Sequence, residues 1–460
     1  WLTALVVLAL LVGGGVFVAA GRGAAPSLSI DRPERFIGLQ SELQVTAGAP
    51  GGKLSSLTIT LEQNGTAIPL FALDSPGAAT VGQPDPDRVR ITRAVGKSAV
   101  PELQQGAARI TVAATRRSWL NLRALSSTAS KDIQVRLEPP RVAVLSSHHF
   151  VNHGGSEMVV YRATPADVTS GVRVGGLEYP GFPASGAGMP GVTDPALKVA
   201  FFALLHDQDL STPITVFARD EAANEVTAAF VDKVFSKSFK KSRIEVDDRF
   251  FQRVLPETLE HSPELKMDPS SADLPAFLKV NGDLRQLNAE RIVELTGATS
   301  PTLLFSGPFA QLGNSQVEAG FADHRTYLYE GKEVDQQVHL GFDLAVTARV
   351  PVVAANDGTV LNATWLGIYG NCVILDHGMG IATLYGHLSA MDVKVGDRVR
   401  KGQVLGRSGT TGLAGGDHLH FTVLLSGRPV NPVEWWDPHW IQDRIIRKLG
   451  EAAGSPAVAP

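Results

Sequence analysis

The chain has 460 residues, which is too long for one ordinary domain and indicates about two to four. Hydrophobic residues make up 44% of it and charged residues 19%, a composition typical of folded domains with a core. The formal net charge of -4 gives no indication of nucleic-acid binding, and the single cysteine, Cys372, excludes an internal disulfide.

Residues 1–21 form an apolar segment without a charged side chain. About 20 such residues suffice to cross a bilayer as a helix. The small residues Val18, Ala19 and Ala20 before Gly21 also fit a signal-peptidase site. We therefore predict an uncleaved transmembrane anchor, with a cleaved signal segment as the alternative. Either places the rest of the chain outside the cytoplasm, and the anchor predicts a single-pass cell-envelope protein in the inner (cytoplasmic) membrane with its bulk in the periplasm or outside.

Two stretches, residues 28–137 and 138–235, alternate short β-type runs with turn residues. In the first stretch, the run Leu54 to Leu61 is followed by Asn64-Gly65, a dipeptide typical of a β-hairpin. Pro139-Pro140 lies near the boundary between the stretches. The lengths predict two immunoglobulin-like β-sandwich domains, although alternation alone leaves the strand topology open.

Residues 236–300 differ from the preceding stretches because their pattern is helical. Apolar residues recur at helical spacing from Asp283 to Leu295. We therefore predict a helical linker between the β-rich stretches and the C-terminal third.

Histidines are the most informative residues of the C-terminal third. His418 and His420 are separated by one residue in an apolar β-type run, so both side chains would project from the same face of a strand. His339 and Asp343 lie upstream and supply another imidazole and a carboxylate. Two imidazoles and a carboxylate can bind Zn²⁺ and leave the fourth tetrahedral position for water, as a catalytic site requires.

Several short motifs accompany these histidines in a recognisable order. They are His339-Leu-Gly-Phe-Asp343, Asn371 to Gly380, Ala382 to Ser389 with His387, Val395 to Gly406, Gly409-Thr-Thr-Gly412, His418-Leu-His-Phe421 and Asn431-Pro432. The series resembles the lysostaphin/LytM-type zinc metallopeptidases, which cleave peptide bonds in bacterial peptidoglycan. The resemblance covers roughly residues 305 to 436, under a third of the chain.

The resemblance implies a role for each of five residues. His339, Asp343 and His420 are expected to ligate one zinc ion per chain, and His387 and His418 to lie beside the zinc-bound water and act in catalysis. This agrees with elementary chemistry, because an imidazole with a pKa near 6.5 can take a proton from such a water.

The predicted fold class is mainly β, with five parts after the N-terminal transmembrane helix or signal segment. They are two β-sandwich (immunoglobulin-like) domains at 28–137 and 138–235, a helical linker at 236–300, an antiparallel-β zinc metallopeptidase domain at 303–438 and a C-terminal tail at 439–460. The predicted function is that of a zinc-dependent endopeptidase for cross-links or stem peptides of peptidoglycan. The expected partners are peptidoglycan, the membrane through the N-terminal helix and regulatory cell-envelope proteins, with no nucleic acid.

Two other classes of function remain open. A catalytically inactive regulator or scaffold for another cell-wall hydrolase would typically lack zinc ligands, whereas all three are present here. A membrane-anchored adaptor or carrier is suggested by the hairpin Val395 to Gly406, which lipoyl-type barrels also use, but Arg407 to Gly412 contains no lysine to modify. The linker segment Ile244 to Leu295 is amphipathic and adjacent to the metallopeptidase domain, so we expect it to contact that domain and to restrain or position it.

Overall fold

The computed structural model describes residues 1–20, 24–50, 53–117, 124–188, 192–267 and 273–452, with the side chains of 17–20 excepted. The chain divides into two compact units. Unit 1 comprises Trp1–Pro140 and Arg219–Val226, and unit 2 comprises Arg141–Ala218 and Thr227–Pro460. Strands outnumber helices by far, which confirms the prediction of a mainly β protein.

Helix α1 (Leu2–Ala20) occupies the predicted anchor segment. Within the described residues, no helix is both long and apolar enough to span a membrane. The transmembrane anchor therefore stays a prediction. The alternative cleavage site involves Gly21 and the side chains of residues 18–20, which lie outside the described part of the chain.

Unit 1 is built of two antiparallel-rich sheets around one hydrophobic core. Its strands are β1 (Ser27–Arg32), β2 (Phe36–Ile37), β3 (Glu42–Gly48), β4 (Leu54–Gln63), β5 (Thr66–Ala72), β6 (Thr80–Asp85), β7 (Arg88–Ala94), β8 (Gly106–Arg117) and β9 (Ala124–Val135). The sheet orders are β1-β3-β7-β6 and β2-β9-β8-β4-β5. Asn64 and Gly65 both have positive φ, 52° and 78°, and connect β4 to β5 as the predicted hairpin turn. Immunoglobulin-like topology stays a prediction.

The second β-rich region lies mainly in unit 2, with Arg219–Val226 assigned to unit 1. Its strands are β10 (Arg141–Val144), β11 (Phe150–Asn152), β12 (Ser156–Thr164), β13 (Thr169–Val174), β14 (Leu177–Pro180), β15 (Phe182–Pro183), β16 (Leu197–Ala203), β17 (Ile214–Arg219), β18 (Glu225–Ala229) and β19 (Lys233–Phe235). Two four-stranded sheets have the orders β10-β12-β16-β15 and β14-β13-β17-β18, and β11 pairs with β19. A 3₁₀ helix, Ala184–Ala187, follows β15.

The described residues of the segment predicted as a helical linker form one strand and three α-helices. These are β20 (Lys241–Val246), α2 (Asp248–Glu260), α3 (Asp273–Lys279) and α4 (Arg285–Thr296), with a π-helical turn, Val280–Leu284, before α4. The Asp247 side chain caps α2 by accepting a hydrogen bond from the Phe250 backbone N–H. Phe251 and Phe277 share a buried core with Tyr327 and Ile368 of the C-terminal region. The expected contact between this segment and the C-terminal region is therefore confirmed.

The C-terminal region is organised around an eight-stranded sheet. Its elements are β21 (Gln316–Ala319), β22 (Asp323–Tyr329), β23 (Lys332–His339), β24 (Phe342–Ala345), β25 (Pro351–Val353), β26 (Gly358–Trp365), β27 (Asn371–Gly378), β28 (Ile381–Leu388), β29 (Ala390–Met391), β30 (Arg398–Val399), β31 (Val404–Arg407), β32 (Leu419–Leu425), β33 (Arg428–Val430), α5 (Pro432–Trp436), α6 (Pro438–Ile441) and α7 (Arg447–Ala452). The large sheet has the order β21-β24-β32-β28-β27-β26-β30, with β33 beside β32. Strands β28 and β32 are buried along their whole length, so side chains at their ends are held firmly.

The end of the C-terminal region is joined to the second β-rich region by buried polar contacts. Lys448 Nζ lies 2.8 Å from Glu157 Oε1, and both side chains are completely buried. Glu434 Oε1 and Oε2 accept hydrogen bonds from Asn152 Nδ2 at 2.8 Å and from the Ser156 N–H at 2.7 Å. Residues 438–452, most of which lie in the predicted tail 439–460, are thus helical and packed on the β-rich region.

The stability of this contact should depend on pH through Glu434. Burial raises the pKa of Glu434 from 4.5 to about 7. A folded-state pKa above the unfolded value adds stability that is full below about pH 4.5 and is lost as the pH rises through about 7. Between pH 8 and pH 5 the free energy of unfolding should gain roughly 2–3 kcal/mol from this group. Thermal unfolding of the wild type and of Glu434→Gln across that range checks it, since the variant should lack this part of the pH dependence. Parallel profiles would contradict it.

Candidate metal and catalytic site

Three strands of the C-terminal region bring the predicted metal ligands together. His339 ends β23, Asp343 lies in β24 and His420 lies in β32. Strands β24 and β32 pair antiparallel with Asp343 directly opposite His420, so their side chains share one face. Asp343 and His420 are 77 residues apart in the sequence, and the pairing of β24 with β32 brings them together.

The three side chains form a compact buried cluster. His339 Nε2 lies 3.0 Å from Asp343 Oδ1 and 3.2 Å from His420 Nδ1, and His420 Nδ1 lies 2.9 Å from Asp343 Oδ1. Among the described residues, these three form the group of histidine and acidic side chains that could hold a metal ion. The structure thus places the predicted ligand set in one position.

Hydrogen bonds on the far side of each ring determine which nitrogen faces the cluster. His339 Nδ1 donates to the Gly320 carbonyl at 3.0 Å, which leaves Nε2 as the acceptor. The Thr422 hydroxyl donates to the Leu340 carbonyl at 2.9 Å, so its oxygen accepts from His420 Nε2 at 3.0 Å and leaves Nδ1 free. Such outer hydrogen bonds are the usual means by which proteins orient metal-binding imidazoles.

This donor set fits a zinc ion. The N–H groups of His339 and His420 are both bound to partners outside the cluster. Two imidazole lone pairs and a carboxylate oxygen therefore converge with no proton between them, and a bound cation would interact favourably with all three. Zinc bonds of about 2.0–2.2 Å in tetrahedral geometry put ligand atoms roughly 3.3 Å apart, close to the observed separations. The residues that could hold the metal are therefore His339, Asp343 and His420.

The ionisation states of the cluster suit metal binding as well. Burial alone would raise the pKa of Asp343, but its interactions with His339, His418 and His420 outweigh burial and hold that pKa well below its usual value. Burial lowers the pKa of His420 to about 4. At neutral pH the carboxylate is ionised and the His420 imidazole is neutral, the forms in which both groups bind metal.

The two predicted catalytic histidines lie beside this cluster. His418 Nε2 is 3.4 Å from Asp343 Oδ1, and the His387 and His418 ring centroids are 4.8 Å apart. His387 Nδ1 donates to the Thr411 carbonyl and His418 Nδ1 to the Gly416 carbonyl, each at 2.8 Å, so both Nε2 atoms are available to the site. The structure therefore brings all five predicted residues together, while their individual roles stay predictions.

His387 adopts an unusual backbone conformation. Its φ is 62°, in the left-handed region that residues other than glycine rarely adopt. Burial lowers the pKa of His387 well below its usual value, so the imidazole is neutral. Burial also opposes protonation of His418, but its interaction with the Asp343 carboxylate outweighs burial and raises the pKa of His418. The two histidines thus face the same cluster with different proton affinities.

Gly341, inside the motif His339-Leu-Gly-Phe-Asp343, allows the strands to approach closely. A Cβ at this position would lie 2.5 Å from His420 Nε2 and 2.6 Å from Thr422 Oγ1. Real Cβ atoms essentially never come so close, so any side chain here would displace the His420 ring or its hydroxyl partner. Glycine is therefore required for the geometry of the cluster.

His377, which lies in the Asn371 to Gly380 motif, has a structural environment. Its Nδ1 donates to the Asp357 carbonyl at 2.7 Å, and its Nε2 lies 2.8 Å from Thr383 Oγ1. Burial lowers the pKa of His377 to about 4. The ring is completely buried and both nitrogens have partners, so His377 holds strands together and is not part of the cluster.

The cavity at the cluster contains residues that sequence reasoning missed. It has a volume of about 180 Å³, and its walls include Arg325 and Tyr369 of the C-terminal region and Ile244, Phe250 and Arg285 of the upstream segment. Arg325 Nη2 donates to Asp343 Oδ2 at 3.2 Å. The helical periodicity of the upstream segment predicted that this segment contacts the C-terminal region. It did not indicate which residues of the segment line the cavity.

Comparison with known proteins identifies this part of the chain. Residues 337–432 match "Peptidase family M23". The chain carries a peptidase family M23 domain at its C-terminal end. The predicted resemblance is thereby confirmed, and all five predicted site residues lie within the matched M23 region.

The relatives of the M23 domain include named peptidases. The DD-carboxypeptidase/endopeptidase Mpg of Neisseria meningitidis is 43% identical over 97 residues, 21% of this chain and 22% of that protein. The peptidoglycan DD-endopeptidase ShyA of Vibrio cholerae is 41% identical over 96 residues, 21% of this chain and 22% of that protein. The chain thus spans about a fifth of the length of these curated relatives.

Solved structures are also similar to the M23 domain. The catalytic domain of the antimicrobial peptidase lysostaphin from Staphylococcus simulans is 29% identical, with a TM-score of 0.23, and the match covers 27% of this chain and 92% of that domain.

Proposed function

We propose that this protein is a zinc-dependent endopeptidase that cleaves peptide cross-links or stem peptides of bacterial peptidoglycan. The observation that carries the proposal is the buried convergence of His339 Nε2, Asp343 Oδ1 and His420 Nδ1 within 3.2 Å of one another, with two further histidines beside them. The peptidoglycan DD-endopeptidase names of relatives such as ShyA support the substrate class.

The chain's own groups have distinct parts in such a reaction. A zinc ion held by the cluster would supply Lewis-acid activation of water and of the scissile carbonyl. The neutral His387 can accept a proton at Nε2 while its Nδ1 keeps the hydrogen bond to the Thr411 carbonyl. His418, whose pKa is raised, can donate a hydrogen bond from Nε2 to negative charge that develops on the substrate.

Digestion of purified muropeptides by the zinc-loaded full chain, followed by mass spectrometry, tests this function. We expect cross-linked dimers to be converted into monomers, with a bond to D-Ala in diaminopimelate-type cross-links preferred over a glycine bridge. The same protein after removal of the metal by a chelator is the control, and activity should return with zinc. Zinc-loaded protein that leaves every cross-link and stem peptide intact would contradict the proposal and favour an inactive regulator or scaffold.

We also propose that the chain is anchored in the inner membrane by residues 1–21, with the β-rich regions as immunoglobulin-like spacers outside the cytoplasm and regulatory cell-envelope proteins as partners. The support is the uncharged composition of helix α1. Cell fractionation should recover the full chain with membranes, and a variant without residues 1–21 should leave that fraction. Equal recovery of both in the soluble fraction would contradict the anchor.

The upstream segment is proposed to restrain the M23 domain. Ile244, Phe250 and Arg285 line the same cavity as His387 and the metal cluster. The cavity volume of about 180 Å³ is below the roughly 300–1,000 Å³ of sites that hold drug-sized ligands. A cross-linked peptide is larger than such ligands, so we expect the segment to move away when substrate binds at the cluster.

A single substitution in the upstream segment should therefore raise activity. Phe250→Ala removes a half-buried ring from the cavity wall. A loss of about 1–2 kcal/mol of contact energy would raise the ratio of open to closed protein by roughly 5- to 30-fold. We expect faster muropeptide release at equal zinc occupancy. Leu287→Ala, on an exposed side chain of α4 (37% exposed), is the control and should leave the rate unchanged. Equal rates for Phe250→Ala and the wild type would leave spacing or partner binding as the role of the segment.

A further inference from the structure

Asp343 is held at both carboxylate oxygens. Its Oδ1 lies 3.0 Å from His339 Nε2 and 2.9 Å from His420 Nδ1. Its Oδ2 points the other way and accepts a hydrogen bond from Arg325 Nη2 at 3.2 Å. Arg325 precedes residues 337–432, so it lies outside the matched family region. The two oxygens of one carboxylate are thereby given different partners.

Arg325 is itself oriented by groups behind it. Its Nε lies 3.6 Å from Asp323 Oδ2, and the Asp323 side chain is 3% exposed. Ser242 Oγ lies 2.9 Å from each oxygen of Asp323. Ser242 belongs to β20 of the upstream segment, which pairs in parallel with β22 and places Ser242 opposite Arg325. A chain of polar and charged groups therefore runs from Ser242 through Asp323 and Arg325 to Asp343, and its contact between Asp323 and Arg325 is an ion pair without a hydrogen bond.

We propose that Arg325 is a positioning residue for the metal cluster, which fixes Asp343 so that Oδ1 alone faces the two histidines. The inference rests on the proposed metal-binding function and adds to it a residue that touches no metal. An unrestrained carboxylate can rotate and offer either oxygen or both, whereas a guanidinium bound to Oδ2 selects one orientation. Outer hydrogen bonds of this kind typically affect metal affinity by about 10- to 100-fold.

The positive charge of Arg325 has an opposing effect, because a cation near a metal site repels the metal. Two substitutions separate the effects. Arg325→Gln removes the charge and the guanidinium, whereas Arg325→Lys keeps the charge but lacks the planar guanidinium that donates to Asp343 Oδ2. If positioning dominates, both variants bind zinc more weakly. If repulsion dominates, Arg325→Gln binds zinc more tightly and Arg325→Lys is unchanged.

The test is a titration of zinc against a chromophoric chelator, with the full chain of each variant. We expect Arg325→Gln to bind zinc about 10- to 100-fold more weakly than the wild type, Arg325→Lys to fall between them and Ser242→Ala to lose a few-fold. Arg400→Gln, on an exposed arginine of the same domain, should match the wild type. Thermal unfolding of the metal-free proteins shows whether each variant is folded. If Arg325→Gln is unstable, the zinc affinity of Ser242→Ala tests the inference instead.

Unchanged or tighter zinc binding by folded Arg325→Gln would overturn the positioning role while leaving the proposed function intact. A wild-type chain that binds no zinc would overturn both. If Arg325→Gln does not fold, zinc affinities equal to the wild type in Arg325→Lys and Ser242→Ala would overturn the inference.

Discussion

His420→Ala is expected to lose most of the bound metal and all peptidase activity. His420 contributes one of three ligand atoms, and its Nδ1 lies 2.9 Å from Asp343 Oδ1 and 3.2 Å from His339 Nε2. Two remaining protein ligands cannot make the closed side of a tetrahedral catalytic zinc site, for which three are usual. Elemental analysis should find about one zinc ion per wild-type chain and far less in the variant.

His439→Ala is the matched control for that loss. The His439 side chain is 93% exposed and lies on α6 of the same C-terminal region, so its removal should leave zinc content and activity unchanged. Stoichiometric zinc in purified His420→Ala would remove His420 from the ligand set. Thermal unfolding after chelation shows whether a loss of zinc reflects a lost ligand or a lost fold.

His387→Ala and His418→Ala are expected to keep zinc and to lower turnover by about 10²- to 10⁴-fold, the usual contribution of acid–base groups. In each histidine, Nδ1 donates a hydrogen bond to a backbone carbonyl, so Nε2 faces the cluster. Neither supplies one of the three ligand atoms that converge at Asp343 Oδ1. The measurement is the rate of muropeptide release at saturating zinc, with zinc content determined on the same sample.

The two variants must be compared at equal zinc occupancy, because His418 Nε2 also lies 3.4 Å from Asp343 Oδ1. Near-normal turnover in either variant would contradict the catalytic role assigned to that histidine. Loss of zinc in His387→Ala would instead indicate that His387 is a zinc ligand. His439→Ala again serves as the control for general effects of removing a histidine.

Local patterns in the sequence predicted much of the secondary structure. Alternating runs and Asn64-Gly65 predicted the hairpin between β4 and β5, because both turn residues adopt the positive φ that this dipeptide favours. Helical spacing predicted α4, although β20 within the same segment was missed. β20 pairs with β22, about 80 residues later, and that pairing has no local signal.

The candidate site was predicted by residue type and motif order. His339, Asp343, His387, His418 and His420 follow from the motifs that resemble the zinc metallopeptidases, and the structure places all five around one buried point. Arg325 and Ser242 could not be predicted, because each acts through a partner on another strand. A polar side chain that orients a ligand has no fixed spacing from it in the sequence.

The sequence by itself determined the mainly β class, the family resemblance and the identity of the chemical groups, because strand periodicity, turn residues and metal-binding motifs are local properties. Only the tertiary structure decided which nitrogen of each histidine faces the cluster. The Gly320 carbonyl that orients His339 is 19 residues away in the sequence, and the Leu340 carbonyl that orients the Thr422 hydroxyl beside His420 is 82 residues from Thr422. It also decided that Phe250 and Arg285 close the cavity. These features depend on contacts between distant segments, which form only when the sheets and the upstream helices pack together.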